Sequence, residues 1–257
     1  MKVVLSIAGS DSSGGAGIQA DLKTMCAHGV FGMSAITAMT AQNTMGVTSI
    51  MESTPDFLAA QIDACLSDIP ADAVKIGMLP STELLDVVVE KVKEYNVKNL
   101  VVDPVMVSTS GSKLMKDSVG DRMSKMLFPL CKVITPNIPE TQALTGMDIS
   151  NEDDMEQAAK LLNKQYGCAA LVKGGHSIAD ANDVLCMGEK LIWFRGKRID
   201  NPNTHGTGCT LSSAIASNLA LGYDLVDAVS FSKEYLTRAI AANLDLGKGH
   251  GPLNHMV

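Results

Sequence analysis

Apolar positions along the chain fall into two alternating patterns. Short, mostly apolar runs at residues 3–8, 73–76, 100–102, 133–135 and 169–172 read as strands, with a further strand over 31–40. Between them lie stretches of helical spacing. Ile18, Leu22, Met25 and Cys26 form one such stripe, stopped by Gly29. Thr54-Pro55 opens a second helix, pairing a cap residue with proline at the first helical position, and Phe57, Leu58, Ile62, Cys65 and Leu66 make its apolar face. Leu84, Leu85, Val88 and Val92 mark a third. A short helix is expected after residue 135, and Ser150 with Asp153 is expected to cap another that runs to Tyr166. Residues 184–187 and 192–195 read as a hairpin, and two successive helical patterns, 211–221 and 225–244, close the chain.

Strands that are apolar throughout, rather than every second residue, need cover on both faces. The pattern therefore predicts an α/β fold with a mostly parallel sheet between helices. A closed (β/α)₈ barrel competes, but the late hairpin and the paired final helices fit it poorly. No internal repeat or Pro- or Ser-rich linker divides the sequence, so one domain over 1–257 is expected. Ligands of such sheets bind beyond the carboxyl ends of the strands.

Composition narrows the function classes. The apolar fraction of 46% supplies a packed core, and a formal charge of −7 without a basic run argues against nucleic acid as a partner. The apolar start of the chain is too short for a membrane span or a signal segment, so no membrane association and a cytoplasmic location are expected. Six cysteines lack a CxxC pair and five histidines lack HxH or HxxxH spacing, which disfavours zinc and disulfides. Cys26, Cys65, Cys131, Cys168 and Cys186 are read as small core residues. Any metal should be hard and oxygen-bound.

Several segments carry chemistry. Gly9-Ser10-Asp11-Ser12-Ser13-Gly14-Gly15-Ala16-Gly17 links a strand to a helix, where glycines admit close backbone approach and a helix start favours anions. It lacks GxGxxG spacing, and no GxxxxGK[ST] occurs, so neither dinucleotide nor P-loop binding is supported. A tight turn is the plain alternative. Gly206-Thr207-Gly208-Cys209 begins a helix whose unpaired N–H groups could stabilise a transferring phosphoryl group. Cys209 would feel the positive helix end, which favours thiolate, although a small buried residue is the commoner fate of a cysteine. Asp103, Asn137 and Glu140 stand at strand ends and offer oxygens suited to Mg²⁺, while Lys173 could reach a nucleotide phosphate. Taken singly, each of the three oxygen donors is also an ordinary cap or loop residue.

Together the segments resemble the ribokinase superfamily, and within it the hydroxymethylpyrimidine/phosphomethylpyrimidine kinases of thiamine synthesis. The resemblance rests on residues 8–21, Ala41-Gln42-Asn43-Thr44, Lys75-Ile76-Gly77-Met78-Leu79, Val101-Val102-Asp103-Pro104-Val105-Met106, Thr135-Pro136-Asn137 with Glu140, Val172-Lys173-Gly174-Gly175, and Thr204-His205-Gly206-Thr207-Gly208-Cys209-Thr210, in order along nearly the whole chain. It implies a three-layer α/β/α sandwich, ATP and Mg²⁺ as cofactors, and a homodimer. It also implies that Gly206, Thr207, Gly208 and Cys209 form the anion hole, with Cys209 in the place of the catalytic base. Lys173, with Asn137 nearby, would meet nucleotide phosphate, and Asp103 and Glu140 would organise Mg²⁺. Gln42 would read the aminopyrimidine edge, with Asp21, Gly9 and Met78 lining the same pocket. A cysteine-type pyridoxal kinase and a non-catalytic pyrimidine sensor are the rival expectations.

Overall fold

The computed structural model describes residues 1–105, 117–175 and 180–257; Met106, part of one matched segment, lies outside them. Among the described residues the strands are β1 (Val3–Asp11), β2 (Phe31–Asn43), β3 (Gly46–Glu52), β4 (Ala73–Ile76), β5 (Leu100–Val102), β6 (Val133–Ile134), β7 (Ala169–Val172), β8 (Asp183–Met187) and β9 (Lys190–Phe194). They form one sheet in the order β3-β2-β1-β4-β5-β6-β7-β8-β9. Pairing is parallel from β2 to β7 and antiparallel at β2–β3, β7–β8 and β8–β9. Two open edges exclude the barrel. The helices are α1 (Gly17–Ala27), α2 (Pro55–Leu66), α3 (Thr82–Glu94), α4 (Asp117–Met126), α5 (Ile138–Thr145), α6 (Glu152–Tyr166), α7 (Thr207–Leu221) and α8 (Leu225–Ala241).

The period-two alternation of side chains explains why the central strands carry apolar residues on both faces. Leu5, Ile7, Val74, Ile76 and Val102 face one core with Leu58 of α2, Leu84 of α3 and Leu162 of α6. Val4, Val101, Val133 and Leu171 face the other with Met25 of α1, Ile215 of α7 and Val229 of α8. The result is the expected α/β/α sandwich. Each such side chain, fully buried, contributes roughly 1.5–3 kcal/mol. The chain winds from β1 outward to β2 and then returns past it to β4, so the order reverses between β1 and β4 and leaves a crevice at their carboxyl ends.

Several local expectations need correction. β1 continues through Gly9 and Ser10 to Asp11, because Ser10 and Asp11 still pair with Met39 and Thr40 of β2. Strand β3 and helix α4 had no counterpart in the pattern; all but the first two residues of β3 are exposed, so no buried face marks it. The cap of α6 is Asn151, which accepts from the Asp154 N–H, while Ser150 instead donates to the Asp154 carboxylate. Thr54 caps α2 as expected, but Phe57 is 61% exposed and outside the core. Cys26 is likewise exposed, and Cys65 and Cys131 are only partly buried, leaving Cys168 and Cys186 as core cysteines.

Candidate active site

The carboxyl ends of β1, β4, β5 and β7 open onto a cavity of about 1320 Å³. Its lining includes Gly9, Gln42 and Met78, the turn from Gly206 to Cys209, and Asp103, Asn137, Glu140 and Lys173.

The turn from Gly206 to Cys209 is shaped by glycine. Gly206, with φ +85°, caps α7, and a Cβ there would fall 1.9 Å from the Gly15 carbonyl oxygen. The glycine loop of residues 12–16 and the start of α7 are therefore interlocked backbone to backbone. Geometry at a helix start leaves the N–H groups of Gly208 and Cys209 without an acceptor inside the helix. A Cβ on Gly208 would lie 3.0 Å from Asp103 Oδ2 and 3.5 Å from Lys173 Nζ, which places a carboxylate and an ammonium at the mouth of this anion-binding turn.

Lys173 donates to Asp103 Oδ1 at 2.8 Å, and Thr135 Oγ1 donates to the same oxygen at 3.0 Å. Burial opposes the lysine charge, yet Asp103 and Glu140 hold the ammonium above its ordinary pKa. Glu140 and Asn137 form a capping box at the start of α5: the Asn137 side chain accepts from the Glu140 N–H and Glu140 accepts from the Asn137 N–H, each at 2.9 Å. Glu140 is thus a buried, structured carboxylate rather than a surface one. Among the described residues no group of three or more His, Cys, Asp and Glu is arranged to hold a metal alone. The hard oxygens of Asp103 and Glu140 beside the turn fit Mg²⁺, which commonly takes one or two carboxylates and completes its shell with water and substrate phosphates.

Two expectations about the site are overturned. Asp21 does not line the cavity. It lies fully buried behind Lys75, whose Nζ donates to both carboxylate oxygens at 2.9 and 2.8 Å, and it also accepts from Ser6 and Ser213. Nor does Cys209 gain a lowered pKa from the helix start. Burial pushes its thiol up to about 11, against the pull of the Lys75 ammonium, with Asp21 and Asp103 adding to the rise. Desolvation of this half-buried thiol outweighs the helix end here.

Gly9 and Met78 do meet: a Cβ on Gly9 would lie 2.8 Å from Met78 Cε. The structure also brings forward Asp11 and His205, which motif reading passed over. Asp11 Oδ1 accepts from the Ser13 N–H and hydroxyl, Oδ2 accepts from the Gly15 and Ala16 N–H groups, and His205 Nε2 stands 2.8 Å from Oδ2. Burial would raise the Asp11 pKa, but the His205 and Ser13 hydrogen bonds take it down to about 2. A carboxylate followed by small residues over one short turn, with a histidine ahead of the GTGC turn, was the available signal.

A model of the phosphomethylpyrimidine kinase family matches residues 11–254. The thiamine biosynthesis bifunctional protein of Geobacter sulfurreducens is 49% identical over 99% of this chain, which spans 52% of that longer protein. The hydroxymethylpyrimidine/phosphomethylpyrimidine kinase of Haemophilus influenzae is 44% identical, covering 99% of this chain and 97% of that relative. Among solved structures, a phosphomethylpyrimidine kinase from Clostridium difficile is 48% identical with a TM-score of 0.84, covering 93% of this chain and 100% of the other. An ADP complex of Bacillus subtilis pyridoxal kinase is 38% identical with a TM-score of 0.92, covering 99% of this chain and 97% of the other.

Proposed function

The chain belongs to the phosphomethylpyrimidine kinase family, and on that premise we propose that it transfers the γ-phosphoryl group of ATP to the hydroxymethyl group of 4-amino-5-hydroxymethyl-2-methylpyrimidine, and then to the resulting monophosphate, in thiamine biosynthesis. The observation that carries this reading is that Gln42, the turn from Gly206 to Cys209 and the Lys173–Asp103 pair all line one cavity. The pyrimidine would sit against Gly9, Gln42 and Met78, and the nucleotide phosphates against Lys173 and Asn137. An amide suits the pyrimidine edge because it both donates and accepts, matching a ring nitrogen beside an amine.

Catalysis in this reading is mainly placement and charge. The N–H groups of Gly208 and Cys209, with Gly206 and Thr207 shaping the turn, meet the oxygens of the phosphoryl group in flight. Asp103 and Glu140 would hold Mg²⁺, which when bound offsets phosphate charge. Cys209 stands where the acceptor hydroxyl arrives; its thiol is protonated at neutral pH in the free enzyme and so orients that hydroxyl, whose proton passes late in the transfer to an oxygen of the phosphoryl group. Residues 1–257 are read as one kinase domain because strands from both halves of the chain share one sheet. A cytoplasmic location, a small-molecule partner and a homodimer complete the reading, the dimer on family resemblance alone.

The likeness to a pyridoxal kinase defines the competing substrate. ADP release measured side by side with hydroxymethylpyrimidine, its phosphate and pyridoxal tests the proposal. Turnover of both pyrimidines well above pyridoxal is expected; preference for pyridoxal would reassign the substrate, and binding without turnover would make the protein a sensor.

A further inference from the structure

His205 Nε2 lies 2.8 Å from Asp11 Oδ2 and 3.3 Å from the amide nitrogen position of Gln42. A ring nitrogen carries at most one hydrogen, and facing a carboxylate it donates that hydrogen to Asp11, whether the ring is neutral or charged. Two donors cannot then face each other. The Gln42 amide must turn its oxygen to the ring, a half-turn that exchanges its two ends, which are distinguished only by their network. The opposite contact agrees. Thr40 Oγ1 donates its single hydrogen to the Ser10 carbonyl at 2.9 Å, so toward the other end of the Gln42 amide, 3.0 Å away, it can only accept. One arrangement satisfies every group: Gln42 N–H to Thr40, and Gln42 oxygen toward the His205 N–H.

This arrangement has a ligand-facing side. With one N–H on Thr40, the second amide hydrogen and a lone pair on the oxygen remain for whatever occupies the cavity that Gln42 lines. His205 itself is held in place by more than Asp11. Its backbone N–H donates to the Gly251 carbonyl at 3.1 Å, and the ring packs so closely on the glycine loop that a Cβ on Gly15 would fall 2.5 Å from Cδ2. We propose that His205, clamped by Asp11, is a positioning residue that fixes the end-for-end orientation of the Gln42 amide, and so selects ligands whose ring edge offers an acceptor beside a donor. The inference rests on the pyrimidine reading given above.

Calorimetric affinity for hydroxymethylpyrimidine in a double-mutant cycle tests it. Gln42→Leu and His205→Ala should each weaken binding roughly tenfold, and the double variant should be no weaker than Gln42→Leu alone, because a residue acting through Gln42 has nothing left to orient. ATP affinity should stay within about twofold in all of them. Two amides that report on geometry provide a second arm if the alanine variant melts below the assay temperature. His205→Gln places an N–H near the Nε2 position and should retain affinity, whereas the shorter His205→Asn should lose it. Losses that multiply in the double variant, wild-type affinity in His205→Ala, or equal behaviour of the Gln and Asn variants would overturn the proposal. Wild-type turnover of the pyrimidine measured alongside separates this failure from failure of the substrate reading; a wild-type protein that binds no pyrimidine overturns both.

Discussion

Lys75 sets its ammonium between the two carboxylate oxygens of Asp21, at 2.9 and 2.8 Å, and neither side chain reaches solvent. Ser6 of β1 and Ser213 of α7 donate to the same carboxylate at 2.5 and 2.6 Å, so the pair ties the sheet to α1 and α7 beneath the site. Burial would strip the lysine of its charge, but the Asp21 carboxylate keeps its pKa above the ordinary value. Asp21→Ala leaves that charge alone in the core and should destabilise the fold by about 3–5 kcal/mol, whereas replacing both partners by apolar residues should recover much of the loss. Urea denaturation of the two variants checks this; an Asp21→Ala protein of wild-type stability and impaired pyrimidine binding would return Asp21 to the pocket.

A second prediction concerns Cys209. With its thiol at about 11, alkylation of Cys209 at pH 7–8 should be slow and should accelerate as the pH is raised toward that value. Cys209→Ala should retain ATP and pyrimidine binding and lower kcat, by less than the roughly 10²–10⁴-fold expected for loss of a full general base, because the anion-hole N–H groups remain. Mass-spectrometric alkylation profiles and saturating kinetics measure the two effects. Rapid modification at neutral pH would show a thiolate that the raised pKa should not permit.

Acid stability should report on Asp11. Its carboxyl titrates at about 2 in the folded chain, below the ordinary 3.8. Between those values the unfolded chain binds more protons, so stability rises with pH; the increment is complete above the unfolded value and is lost as the pH falls through 2. On the order of 1–2 kcal/mol is expected from this group. Denaturation of wild type and Asp11→Asn at several pH values should show a wild-type advantage near neutrality that shrinks across that window. A pH-independent difference would mean that the carboxylate charge plays no part in holding the glycine loop.

The capping box allows Glu140 to be probed without losing α5. Glutamine serves at the same cap position, so Glu140→Gln should change stability by less than about 1 kcal/mol. If Glu140 also helps to hold Mg²⁺, the variant should need more of the ion for half-maximal turnover. An unchanged Mg²⁺ titration would confine Glu140 to the cap.

Much of the sandwich was legible because burial on both faces writes itself as nearly continuous apolar runs, as at Ala169–Val172 and, apart from Lys75, at Ala73–Ile76. Strand β3 was not, since its residues are mostly exposed and carry no alternation. Cap chemistry was legible at Thr54 and displaced by one residue at Asn151, where Ser150 and Asn151 compete for the same Asp154 region. In the site, the glycines were found because their spacing reflects backbone contact, as between Gly206 and Gly15. What no spacing could reveal is enclosure. Asp21 and Cys209 depart from expectation for that reason: a partner 54 positions away hides the first, and desolvation reverses the pKa of the second.

Phosphorus NMR of the products formed from ATP and 4-amino-5-hydroxymethyl-2-methylpyrimidine tests the central claim most directly. The account predicts a monoester on the hydroxymethyl oxygen that appears first and is then consumed as a diphosphate resonance grows, with ADP released at each transfer. ATP left intact beside this pyrimidine, while pyridoxal is converted to its phosphate under the same conditions, would contradict it.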